Sequence, residues 1–136
     1  MPPSSMTRFV IDAPTAVRLI QEGIAIGADH QLVAPATLRA QVLELLYRRH
    51  GGAPIRGEVA QQLDRLSELK IRLLGDRVSR STAWKIAAQL GWDEIGPAEY
   101  LAVAKLQADA IVTDDERLRT ASEGIVPLAS FDELLR

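Results

Sequence analysis

The chain has 136 residues, with 16 Lys+Arg against 18 Asp+Glu and no cysteine. With 47% hydrophobic and 25% charged residues it has enough apolar surface to offset ordering entropy. That excludes whole-chain disorder, and the length suits one domain with one core. The missing cysteines remove disulfides, thiolate zinc sites and thiol nucleophiles together, while the slight negative balance excludes strong bulk attraction to nucleic acid but leaves a local basic patch open.

In chain order, residues 1–6 read as a flexible leader, and Met1-Pro2-Pro3-Ser4-Ser5 lacks the basic segment and apolar stretch of a signal peptide. A cytoplasmic protein without a membrane span is expected, because the apolar run Gly23–Ala28 is far short of the roughly 20 residues a span needs. Thr7–Ile11 predicts a buried strand and Ala13–Glu22 a helix stopped by Gly23. Gln31–Val33 predicts a short strand, and Pro35 is expected to open a helix over Ala36–Arg49 with Leu38, Val42, Leu45 and Leu46 inward. Residues 56–69 predict a helix, Ile71–Leu74 a short strand and Ser79–Leu90 a helix. Pro97–Gln107 is apolar nearly all round and predicts a buried helix. Ala110–Val112 and Ile125–Leu128 predict strands, Glu116–Ala121 a short helix, and Ser130 caps a last helix over Phe131–Arg136. Alternating strands and helices predict an α/β domain with a mainly parallel sheet and a helical section beside it.

Two acidic positions stand out by context. Asp12 follows the first strand directly, and Asp114 and Asp115 follow Ala110-Ile111-Val112 after one threonine. Ligands of parallel α/β sheets bind at the carboxyl ends of strands. Two strands would thus deliver carboxylates to one rim, as a hard divalent cation requires. Both positions also read as helix starts: Asp12 as the cap before Pro14, and Thr113-Asp114-Asp115-Glu116 as a Thr-x-x-Glu capping box. The two roles are compatible.

Four stretches in order carry a family likeness: Phe9-Val10-Ile11-Asp12; Val33-Ala34-Pro35 leading to Leu38 and Gln41; Glu99-Tyr100-Leu101-Ala102-Val103-Ala104; and Ala108-Asp109-Ala110-Ile111-Val112-Thr113-Asp114-Asp115 with Leu118. Together they span most of the chain, which resembles a PIN domain and in particular the VapC-like toxins of bacterial toxin–antitoxin pairs. The resemblance implies a PIN-like three-layer α/β/α domain over 7–136. It implies an Mg²⁺- or Mn²⁺-dependent endoribonuclease that cleaves RNA phosphodiesters with a cluster of acids, and a small antitoxin and a second copy of the chain as partners.

The likeness puts the family's four acids on Asp12, Gln41, Pro97 and Asp115, so two of the four are missing. Gln41 keeps a carbonyl oxygen, a weaker ligand than a carboxylate, or it bonds to nearby backbone. Pro97 offers no ligand. Asp114 is the nearest spare carboxylate, Glu44 and Glu99 are further substitutes, and Asp93 and Glu94 lie in the loop before. With so few acids, at most one weakly held ion is expected, and a two-ion arrangement lacks its bridging carboxylates. A basic run over residues 56–85 offers Arg72, Arg77 and Arg80 as RNA contacts, or else a solvated helix face. Trp84 and Trp92 read as core or interface residues, His30 and His50 as surface ones. A metal-dependent ribonuclease and a degenerate PIN domain that binds RNA or protein without cutting both fit. A phospho-acceptor receiver does not, since the last lysine, Lys105, sits within a predicted helix.

Overall fold

The computed structural model describes residues 6–136; the expected leader, apart from Met6, lies outside the described residues. Four strands, β1 (Thr7–Ile11), β2 (His30–Pro35), β3 (Ile71–Leu74) and β4 (Ala110–Val112), form an all-parallel sheet in the order β3-β2-β1-β4. Val10 faces Val33 on one side and Ile111 on the other. A parallel sheet is covered on both faces, so its central strands are continuously apolar rather than alternating. Phe9–Ile11, Leu32–Ala34 and Ala110–Val112 are accordingly buried, while the edge strand β3 leaves Arg72 exposed.

Six α-helices accompany the sheet among the described residues: α1 (Ala13–Glu22), α2 (Leu38–Arg49), α3 (Glu58–Glu68), α4 (Arg77–Leu90), α5 (Gly96–Gln107) and α6 (Glu116–Ala121). Helix α1 packs on α2 and α3, whereas α5 packs on α4 and lies on β1 and β2, giving three α/β/α layers. The largely apolar α5 is deeply set, with Leu101, Ala102, Val103 and Ala104 almost fully enclosed. Burial of a leucine such as Leu101 contributes about 1.5–3 kcal/mol.

Helix boundaries follow local chemistry. Asp12 caps α1 by accepting the Thr15 N–H at 3.1 Å. Gly23 ends α1 in the left-handed region (φ 63°), and a Cβ there would also meet the Arg65 guanidinium at 2.9 Å. Asp76 caps α4 through the Ser79 N–H at 2.8 Å. Those Ser79 bonds hold the Asp76 carboxyl below its usual range.

Several element boundaries differ from those expected. Pro35 ends β2 instead of opening α2: it lies opposite Leu74, and the next residue, Ala36, supplies the N–H that bonds the Leu74 carbonyl at 2.8 Å. The second strand is longer than Gln31–Val33, and α4 starts at Arg77 because its cap is Asp76. Residues 125–128 form no strand. Only Leu128 bridges Ile111, since Pro127 has no N–H to extend the ladder. The last helix is a 3-10 turn over Phe131–Leu135, closed by a Ser130–Glu133 capping box. Helix α6 is capped by Asp115, not by Thr113.

Candidate functional site

Strands β1 and β4 are hydrogen-bonded neighbours and end side by side, with Ile11 opposite Val112. The chain leaves each strand into a helix, so Asp12 and Asp115 become the caps of α1 and α6. Asp12 is 5% exposed. Its Oδ1 accepts the Thr15 N–H (3.1 Å) and the Thr15 hydroxyl (2.6 Å), and its Oδ2 accepts the Thr113 hydroxyl (2.5 Å). The Thr113 oxygen in turn accepts the Asp115 N–H at 3.0 Å. One hydroxyl thus links the first acid to the backbone of the second. Asp115 Oδ1 accepts the Leu118 N–H at 3.0 Å.

Both acids line one cleft of about 740 Å³, together with Thr15, Arg18, Thr113, Asp114, Arg119 and Asp132. Asp114 and Asp115 are exposed in it. The structure therefore brings Asp12, Asp114 and Asp115 to a common hollow at the carboxyl end of the sheet. A larger cavity, about 1070 Å³, lies at the opposite end of the strands around Ile24–Ala28, His30 and Arg65. Its sole acidic lining residue is Glu68, so the acid chemistry belongs to the smaller cleft.

The substitute ligands are dispersed. Gln41 Oε1 accepts the Tyr100 hydroxyl in a short hydrogen bond. Gln41 is thus held by a side chain of α5 and not by nearby backbone. Burial pushes the Tyr100 phenol well above its ordinary pKa, and the charges of Asp12 and Glu99 push it further. Tyr100 consequently remains a proton donor to Gln41, and Asp12 and Glu99 both lie close enough for their charge to act on it. Glu99 is half-buried in the first turn of α5 and does not line the cleft. Glu44 is exposed and pairs with Arg48 at 3.3 Å, Asp93 is exposed, and Glu94 pairs with Arg117 at 3.5 Å. Pro97 occupies the start of α5.

The expected basic stripe comes apart in three dimensions. Arg72 faces the larger cavity. Arg77 and Arg80 stand at the start of α4, and Arg80 donates to the Gly75 carbonyl at 2.9 Å. None of these three lines the acid cleft. Arg65 is structural: it donates to the Ile20 carbonyl at 2.7 Å, satisfying the carboxyl end of α1. Trp84 is 73% exposed and so is not a core residue, because α4 turns only Ala83, Ile86 and Ala87 of that turn inward. Trp92 is half-buried under Arg117.

Neither histidine is a free surface residue. His30 bonds the Leu134 carbonyl at 3.0 Å and packs edge-on against Phe9. His50 Nε2 meets Gln62 Oε1 at 2.7 Å, while Gln62 donates to Glu58 at 3.2 Å.

Sequence reasoning missed Thr15, Arg18, Arg119 and Asp132 as cleft residues. Their signal is weak because they come from three separate segments with no shared spacing. Among the described residues no three His, Asp or Glu side chains come close enough to enclose a metal ion. The donor set still suits one hard cation of the Mg²⁺ type, which keeps several waters and is commonly held by one or two carboxylates plus a substrate phosphate. It does not suit a pair of ions. What the cleft itself offers chemically is a pair of carboxylates, Asp12 and Asp115, each oriented by hydrogen bonds. No described helix is long and apolar enough to cross a membrane.

No known protein family matches the chain by profile comparison, and no curated protein is significantly similar to it. Among solved structures, PAE2754 from Pyrobaculum aerophilum superposes with a TM-score of 0.68 at 15% identity, over 97% of this chain and 95% of that one. At that identity the likeness shows a shared fold: the chain is a three-layer α/β/α domain with an all-parallel four-stranded sheet.

Proposed function

We propose that the chain is a divalent-metal-dependent endoribonuclease of the VapC-like PIN type, weakened by the glutamine at 41 and the proline at 97. The observation that carries this reading is the delivery of Asp12 and Asp115 from neighbouring strand ends to one cleft, linked through the Thr113 hydroxyl. A divalent cation there would be held by Asp12 and Asp115 and would supply Lewis-acid polarisation of the phosphate. The rest falls to the chain. Thr15 and Thr113 lock Asp12 in one rotamer, so its remaining lone pair has a fixed direction. Asp115, exposed at the rim, spends one oxygen on the α6 cap and offers the other to orient an attacking water. With two family acids replaced, the cation is loosely held and turnover is slow.

Incubation of the pure protein with structured RNA and Mg²⁺ tests this. Cleavage that disappears in Asp12→Ala supports it; no cleavage, or cleavage unchanged in that variant, rejects it. A second reading, a PIN-type module that grips RNA or protein without cutting, draws on a specific observation. Asp12 accepts three internal hydrogen bonds and Gln41 is occupied by Tyr100, so both positions are satisfied without a cation. Tight Mg²⁺ binding by the wild-type protein would remove that second reading. A small antitoxin and a second copy of the chain are the partners proposed under the first.

A further inference from the structure

Arg18 and Arg119 are the cations in the lining of the acid cleft, and neither was expected to contact substrate. Arg119 stands one turn beyond Asp115 on α6 and donates an Nη hydrogen to the Thr113 carbonyl at 3.0 Å. That carbonyl belongs to the residue whose hydroxyl links the two acids. Arg18, on α1, donates its Nε hydrogen to Glu22 at 2.9 Å, and its guanidinium lies over the Phe131 ring at 3.8 Å from the centroid.

A guanidinium in an acid-lined cleft ordinarily pairs with one of the acids. Here the ion pair that Arg18 makes is with Glu22, outside the cleft, and among the described residues Arg119 is within ion-pair distance of no carboxylate. Each guanidinium has five N–H donors, and the bonds described spend one apiece. The remaining forks match phosphate geometry. Stacking on Phe131 and the backbone bond of Arg119 fix their planes in advance, which lowers the entropy cost of gripping a ligand.

We propose that Arg18 and Arg119, which line the cleft together with Asp12 and Asp115, grip RNA backbone phosphates there. This rests on the ribonuclease reading and names the groups that hold its substrate. The cleft's acids alone would repel a polyanion; these arginines supply attraction within the cleft, where Arg72, Arg77 and Arg80 supply none.

The test is fluorescence anisotropy with a labelled single-stranded RNA in metal-free buffer, so that affinity is read apart from cleavage. Arg18→Gln and Arg119→Gln each weaken binding about tenfold, as loss of one charge-assisted contact does. Each also flattens the logarithmic salt dependence by about 0.7. Arg77→Gln and Arg80→Gln leave affinity unchanged. Arg119→Lys keeps the charge and a donor for the Thr113 carbonyl, guarding against a folding artefact, and still binds less tightly because it loses the fork. Wild-type affinity in both glutamine variants, or an equal loss in Arg77→Gln, overturns the proposal. Cleavage is scored separately with Mg²⁺. Binding that needs both arginines in a protein that never cuts removes the nuclease reading and keeps this one. Cutting with unaltered affinity in both variants does the reverse, and wild-type protein that binds no RNA overturns both.

Discussion

Replacing Asp12 by asparagine separates two pictures of the site by the sign of a stability change. If Asp12 is chiefly one member of a repelling acid cluster, removing its charge stabilises the metal-free protein. Repulsion between two carboxylates beside water is worth about 1 kcal/mol. Against it stand the hydrogen bonds to a carboxylate that is 5% exposed. Asparagine still caps α1, since its oxygen accepts the Thr15 N–H about as well. Its amide nitrogen, however, turns a donor toward the Thr113 hydroxyl, which already accepts from Asp115 and so loses its acceptor. Loss of a charge-assisted bond costs about 1.5–3 kcal/mol, and the Thr15 hydroxyl bond also weakens to a neutral one. The balance is a destabilisation of about 2 kcal/mol. For a domain of this size that lowers the melting temperature by about 6 °C. Thermal melting followed by circular dichroism in excess chelator measures it. An Asp12→Asn protein that melts at or above wild type refutes the reasoning, because repulsion then outweighs the hydrogen bonds.

Other outcomes follow from the same geometry. Under the nuclease reading, placing acids at both positions with Gln41→Glu and Pro97→Asp raises Mg²⁺ affinity at least tenfold by calorimetry, the aspartate also favouring the start of α5; unchanged affinity means these positions do not face the ion. Tyr100→Phe removes the bond to Gln41 and costs about 1 kcal/mol, read as a shift in the urea midpoint. Because the folded protein keeps the Tyr100 phenol neutral above its ordinary pKa, the stability it contributes is complete below about pH 10 and is lost as pH rises beyond that. In a Tyr47→Phe protein, where Tyr100 is the remaining tyrosine, tyrosinate absorbance therefore rises only with alkaline unfolding; a rise in the folded protein near pH 10 contradicts this. Arg65→Ala unfastens the end of α1 and lowers the melting temperature while RNA affinity stays the same, so a loss of affinity without destabilisation would make Arg65 a contact residue instead.

The parallel sheet was legible because its central strands are short unbroken apolar runs, and the boundaries of Thr7–Ile11 and Ala110–Val112 needed nothing beyond burial on both faces. Helices with strong local stops, such as Ala13–Glu22 before Gly23, were legible for the same reason: the signal is contained in the segment. Where a boundary depends on a partner strand it was not. Pro35 reads as a helix opener in isolation, and only pairing with Leu74 makes it the end of β2. Ile125–Leu128 reads as a strand, yet Pro127 withholds the N–H that a ladder beside β4 requires. The same division holds at the cleft. Asp12 and Asp115 were visible as acids after strands, because a strand end is a local event. Their link through Thr113, the capture of Gln41 by Tyr100, and the entry of Arg18, Arg119 and Asp132 into the cleft depend on segments remote in sequence meeting across the sheet. Periodicity and spacing record which face of its own element a side chain occupies; which remote group it meets is fixed only when the layers pack.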